Sequence, residues 1–182
     1  WFELAQYHKK NLKKKKPIIL ATGASTLKEV KDTVKLITKA NEDLILMQCN
    51  TNYSNDEKNF ENINLNVLKT YKKIFGNKVI LGLSDHTSGH ATVLGAISLG
   101  ARVIEKHFTD SNSRNGPDHK FSMHFDSWSE MVKETRRLEK ALGNGVKSIE
   151  SNETHTAHVQ RRSFYATKEI KSLATRKCSE LI

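Results

Sequence analysis

The chain has 182 residues, a formal net charge of +10 and two cysteines, Cys49 and Cys178. That length suits one domain with a real core, or one domain plus a fragment of another. Two cysteines are too few for a cysteine-based zinc site and fit a reducing, cytoplasmic setting.

No run of 18 apolar residues exists, and the interrupted, lysine-rich N-terminus does not read as a signal peptide, so no membrane partner is expected. The first residue is Trp1 rather than Met, which suggests a processed or incomplete chain. Lys9, Lys10 and Lys13 to Lys16 form a basic run before Pro17. Nucleic-acid binding is the sharp reading of such a run, but no aromatic residues interleave with it and no nucleic-acid-binding signature accompanies it. A solvated basic surface that attracts anionic substrates is the expectation, with no nucleic-acid partner.

Residues 17–143 read as four strand–helix units. Pro17 to Ala21 is a short buried strand closed by Thr22-Gly23, and a helix follows from Ser25 or Thr26, with Glu29 placed for a capping box and Leu27, Val30, Val34 and Ile37 at helical period. Leu44 to Asn50 is the second strand. A polar loop over 51–62 leads to a helix carrying Ile63, Val67, Leu68, Tyr71 and Ile74, stopped by Gly76-Asn77. Val79 to Asp85 is the third strand and Ala91 to Leu99 its helix; Arg102 to Phe108 is the fourth strand. A long loop then precedes a helix with Trp128, Met131, Val132, Leu138 and Leu142 on one face, ended by Gly143. Residues 144–161 read as a polar linker, and 162–170 as the opening of a further small β element.

Apolar strands alternating with amphipathic helices predict a parallel sheet of α/β class. Either a doubly wound sheet or a (β/α)8 barrel fits, and four units make half of the latter. In both folds chemistry gathers at the C-terminal strand ends. The third and fourth strands each run into a histidine there, His86 and His107. Alternation puts Ser84, His86, Glu105 and His107 on one face and Asp85 and Lys106 on the other. Two imidazoles at one edge suggest a shared divalent metal, against the plainer reading that His86 caps a helix and His107 is a satisfied histidine. A helical zinc site of His86 and His90 at i, i+4 is disfavoured by the turn-like Thr87-Ser88-Gly89. Thr51 and Tyr53, just past the second strand, also reach the active edge unless they serve only the turn. In the loop 110–119, Asp110 and Asp118 are candidates to orient hydroxyls or accept protons, and Arg114 to pair with phosphate or carboxylate; a solvated loop is the alternative.

Gly82-Leu-Ser-Asp-His-Thr87, Val103-Ile-Glu-Lys-His-Phe-Thr109, Gly116-Pro-Asp-His-Lys-Phe-Ser122 and Gln160-Arg-Arg-Ser163 closely resemble the sialic acid synthase family, over about residues 15–170. Its members make N-acetylneuraminate, legionaminate and pseudaminate. The resemblance implies a (β/α)8 TIM barrel followed by a small antifreeze-like domain, and condensation of phosphoenolpyruvate with the open-chain aldehyde of a 2-acetamido sugar. It implies a divalent metal, Mn2+ or Mg2+, on His86 and His107. By motif, Thr51 and Ser84 match positions that contact phosphoenolpyruvate, and Tyr53 and Asp118 match positions around the acceptor sugar. Glu105, on alternation, is a proton-transfer group or one hydrogen-bonded behind the metal.

Ala21 departs from the family, which often has a serine there whose hydroxyl touches phosphate; Ser54 replaces the usual proline after the tyrosine; and 171–182 leave the family pattern. The domains expected are therefore 1–143 as the C-terminal half of a synthase barrel, 144–161 as linker and 162–182 as a truncated start of the antifreeze-like domain. Four further strand–helix units are expected upstream. A half barrel exposes two sheet edges, so instability alone or pairing as a homodimer is expected. Two other readings compete: a non-catalytic fragment that binds only metal or anion, and another phosphoenolpyruvate–aldose condensing enzyme such as a deoxyheptulosonate-phosphate synthase.

Overall fold

The computed structural model describes residues 16–53, 56–162 and 166–169. The chain divides into two compact units, 1–143 and 144–182. In the first unit four strands, β1 (Ile18–Ala21), β2 (Leu44–Cys49), β3 (Ile80–Asp85) and β4 (Val103–Lys106), alternate with four helices, α1 (Leu27–Thr38), α2 (Val67–Phe75), α3 (Ala91–Ser98) and α4 (Phe125–Leu142). All strand pairs are parallel and the order is β1-β2-β3-β4.

A sheet that grows in one direction, with every helix on the same side, has the winding of a barrel wall, whereas a doubly wound sheet reverses its strand order. Ile18, Leu20, Leu44, Leu46, Leu81, Leu83 and Ile104 form one face and pack into a single core with Val30, Val34 and Ile37 of α1, Leu68 and Tyr71 of α2 and Ala96 of α3. The opposite face carries Ile19 and Ile80, 56% and 48% exposed, together with Met47, Gly82, Ser84 and Glu105. The unit is therefore a four-stranded half-barrel with an inner face and a helix-covered outer face.

Local chemistry accounts for the elements. Thr26 caps α1 and closes a full capping box with Glu29; the Thr26 hydroxyl and backbone amide bonded to Glu29 hold its carboxyl below the usual carboxylate range. Asp56 caps a 3-10 turn over Glu57–Asn62, so the second helix starts later than the periodicity predicts. Ile63 precedes it, buried, and its carbonyl accepts a bond from Gln48 Nε2 at 2.9 Å. Ile74, expected on the apolar face of that helix, is exposed, as are Val132 and Leu142 on α4, where Met131 is buried and Trp128 and Leu138 are partly so.

Gly82 sits where β3 is squeezed between its neighbours. A Cβ there would lie 2.8 Å from the Val103 carbonyl and 2.9 Å from Met47 Cγ. The backbone contact cannot swing aside, so Gly82→Ala is expected to destabilise by about 1–3 kcal/mol, the usual cost of overpacking, measured as a lower urea midpoint at unchanged m-value.

In the second unit a 3-10 turn, Ser151–Glu153, runs into a short helix, α5 (Thr154–Val159). The stretch expected to be a plain linker thus carries helical structure, begun by a box between Glu150 and Glu153. No strand occurs at 162 or 166–169; the rest of the expected β element, including Ser163, and residues 170–182 lie outside the described residues, as do Ser54 and most of the basic N-terminal run. No helix among the described residues is long and apolar enough to cross a membrane.

Candidate active site

The C-terminal ends of β2, β3 and β4 form one rim. Register aligns Cys49 with Ser84 and Ser84 with Glu105, so these side chains share the inner face. Ser84 Oγ donates to Glu105 Oε1 at 2.9 Å. Cys49 lies beside Ser84, and burial pushes its thiol up. A buried, protonated thiol is a poor nucleophile, so iodoacetamide is expected to label Cys49 of the folded protein more slowly than that of the urea-unfolded protein at pH 8, read by mass spectrometry; equal rates would contradict its burial.

His86 and His107 follow the last residues of β3 and β4, and their ring centroids stand 5.1 Å apart. His86 is 4% exposed. Its Nδ1 lies 2.7 Å from the Asn50 carbonyl. A carbonyl only accepts, so Nδ1 carries a proton, and Nε2 is the nitrogen left to offer a lone pair to a metal. A backbone acceptor on one ring nitrogen is the usual way a metal-binding histidine is held in tautomer and orientation. Tyr53 covers the pair, its ring centroid 4.3 Å from His86 and 5.8 Å from His107. Phe121 packs beside both, its ring centroid 5.1 Å from His107 and 6.2 Å from Tyr53.

Asp118 reaches this group from the loop after β4, with Oδ2 3.7 Å from His107 Nδ1. Its position depends on a parallel bridge between Phe108 and Met123 and on Asn112 Nδ2, which donates to the carbonyls of His119 and Ser122 at 2.7 and 2.8 Å. Thr51 rests on Gly23: a Cβ on that glycine would collide with the Thr51 methyl, so the loops after β1 and β2 touch through a residue with no side chain.

Ser84, His86, Glu105 and His107 therefore lie at one rim with Thr51, Tyr53 and Asp118 beside them. Two other candidates are drawn elsewhere. Arg114 is engaged by Asp110, with Nη1 3.0 Å from both carboxylate oxygens, and that guanidinium holds the Asp110 carboxyl below its ordinary range. His90 caps α3 beyond Gly89, whose φ of +65° breaks the chain direction, so no helix presents His86 and His90 together. The hydroxyl next to Ala21 cannot replace the serine absent there. Thr22 is buried on the outer face, donating to the Met47 carbonyl at 2.9 Å and accepting from Tyr71 Oη at 2.9 Å.

Among the described residues no three His, Cys, Asp or Glu side chains converge into a metal cage. The donor set is two imidazoles, which would leave the remaining positions of an ion to water and substrate oxygens. That suits an exchangeable ion with open positions rather than a closed structural site.

Sequence reasoning passed over Asn50, whose contribution is a backbone carbonyl, and Phe121. It also passed over a buried ion pair on the outer face. Lys106 Nζ lies 2.7 Å from Asp85 Oδ2, with side chains 1% and 0% exposed. Alternation had sent both residues to that face, and the register Asp85–Lys106 is the signal that would have joined them.

The sequence model of the NeuB family matches residues 3–147. The chain is 36% identical over 168 residues to the N,N'-diacetyllegionaminic acid synthase of Campylobacter jejuni, covering 91% of this chain and 49% of that protein. It is 38% identical over 160 residues to the pseudaminic acid synthase of the same species, covering 87% and 45%. In structure it is similar to an N-acetylneuraminic acid (sialic acid) synthetase from Leptospira borgpetersenii crystallised with citrate, with a TM-score of 0.73, 26% identity and coverage of 86% and 55%. The chain spans about half the length of the curated relatives it matches. On the family match over residues 3–147, more than half of its length, the chain belongs to the NeuB family.

Proposed function

We propose that this chain carries the metal-binding end and part of the substrate site of a nonulosonate synthase. The reaction joins carbon 3 of phosphoenolpyruvate to the aldehyde carbon of a 2-acetamido aldose; water adds at carbon 2 and inorganic phosphate leaves. The observation that carries this reading is the pair His86 and His107, 5.1 Å apart at adjacent strand ends, with the His86 tautomer set by the Asn50 carbonyl.

His86 and His107 would hold Mn2+ or Mg2+. When bound, such an ion supplies Lewis acidity to the aldehyde oxygen. Thr51 offers its hydroxyl to phosphoenolpyruvate, and Ser84 would do so by turning its proton away from Glu105, to which it donates in the structure. Asp118 and Tyr53 flank the histidines where the acceptor sugar would lie. Glu105 and Asp118 are the carboxyl groups available to move protons, one to the aldehyde oxygen as it becomes a hydroxyl and one from the attacking water. Tyr53 and Phe121 wall the histidines with aromatic surface and limit the access of bulk water.

The remaining parts of the reading are proposals of the same kind. They are closure into a (β/α)8 barrel by four further strand–helix units, an antifreeze-like domain beginning near 162, a homodimer, and a cytoplasmic setting. The test uses the complete natural polypeptide with Mn2+ and phosphoenolpyruvate, offered N-acetylmannosamine and then the diacetamido precursors of legionaminate and pseudaminate. Phosphate release with one of these sugars is expected. Release with none would sink the proposal.

A further inference from the structure

Behind the two histidines lies a polar cluster that the proposed reaction does not use. Asp85 and Lys106 are the last residues of β3 and β4 and are partners across the ladder. Lys106 Nζ bonds Asp85 Oδ2 and also donates to the Thr87 carbonyl, both at 2.7 Å. Asp85 Oδ1 accepts from the Thr87 amide at 3.1 Å and from Thr87 Oγ1 at 2.9 Å, and Oδ2 accepts from Thr92 Oγ1. Every member is buried.

The ladder between β3 and β4 ends at this pair, and the next residues are His86 and His107. The backbone pairing that fixes strand spacing therefore stops one residue short of the imidazoles. Lys106 takes over at that point. One ammonium grips the side chain before His86 and the carbonyl after it, and it stands immediately before His107 on the neighbouring strand. These charge-assisted bonds are directional, whereas apolar contacts in the same place would hold the strands together without fixing their register. Stability alone is a weak reason for such a pair, because buried ion pairs are often matched or bettered by apolar residues.

We propose that the Asp85–Lys106 pair is a positioning device that sets the separation of the His86 and His107 imidazoles, and through it the affinity for a divalent cation. The cation part rests on the function proposed above. The two residues touch no substrate; they act through the histidines that follow them.

The test compares Asp85→Asn, Lys106→Met and Thr92→Val in the complete natural polypeptide. Mn2+ affinity and the line shape of bound Mn2+ are read by electron paramagnetic resonance, well below each variant's unfolding midpoint. Asp85→Asn and Lys106→Met are expected to weaken Mn2+ binding about 10–100-fold, the range for partners that orient metal ligands, and to broaden the bound spectrum. Thr92→Val keeps the ion pair but removes one hydroxyl from Asp85; it is expected to weaken binding by a smaller factor, and it carries the test if the other two do not fold. Folded variants with parental affinity and line shape, whatever their midpoints, would overturn the proposal. If the parent binds no Mn2+, the function proposed above fails instead. Positioning is then read from the ring nitrogen resonances of His86 and His107 in the metal-free protein. Shifts in the variants support it and unchanged resonances refute it.

Discussion

His86→Ala is expected to abolish stoichiometric Mn2+ binding and to lower phosphate release by about a thousandfold in the complete natural polypeptide. The size follows from the several kcal/mol that a Lewis acid contributes to charge stabilisation, at about 1.4 kcal/mol per factor of ten. His86 is the stricter of the two ligands because it is buried and its Nδ1 is tied to Asn50. An alanine there offers no lone pair in place of the imidazole and leaves the Asn50 carbonyl without its donor. That loss costs the fold about 1–3 kcal/mol, to which the vacated ring volume adds, so circular dichroism on the variant is part of the test. Metal stoichiometry, circular dichroism and phosphate release measured on one preparation check all three parts. A folded variant that keeps metal and turnover would remove His86 from the site.

Lys106→Met is expected to destabilise the protein by about 3–5 kcal/mol, because it leaves the Asp85 carboxylate buried without its cation. Against a total stability of about 5–15 kcal/mol, that is from about a fifth to the whole of the margin. Asp85→Leu combined with Lys106→Met removes the orphaned charge and is expected to recover part of the loss. The recovery is incomplete because the Thr87 amide and the Thr92 hydroxyl lose their shared acceptor. Urea unfolding of the single and double variants measures both. A single-variant cost below about 1 kcal/mol, the range of exposed pairs, would mean that water reaches the pair.

Much of this geometry is readable from residue order. The strands are near-continuous apolar runs that fall within a residue or two of their observed bounds, and the helices carry periodic apolar faces, although the one expected to carry Ile63 begins only at Val67. Period-two alternation sorts Ser84, His86, Glu105 and His107 from Asp85 and Lys106 because a strand has no other way to point its side chains. Legibility stops where the determinant is not a side-chain pattern. The 3-10 turn before α2 depends on Asp56 capping and on Gln48 reaching the Ile63 carbonyl, and no periodicity marks it. The hold on His86 comes from a main-chain carbonyl, which any residue at position 50 would also supply. Arg114 and Asp110 meet at i, i+4 within the loop, a local pairing that rivals the ligand role their composition suggests. The order of strands, which separates a barrel wall from a doubly wound sheet, is a property of long-range pairing that four local units leave open.

The strict sorting of residues between the two faces has a consequence for how such a sequence can change length. Deleting or inserting one residue within β4 would exchange the faces of everything beyond it. The ammonium of Lys106 would turn into the rim that now holds imidazoles, and the ring of His107 would turn into the layer beneath α3 and α4. A change of two residues would restore the facing but move His107 out of line with His86 by about 7 Å at roughly 3.3 Å per residue. Strand length here is therefore quantised by chemistry on both sides of the sheet at once. Changes of length are expected to be tolerated in the loops rather than within these strands.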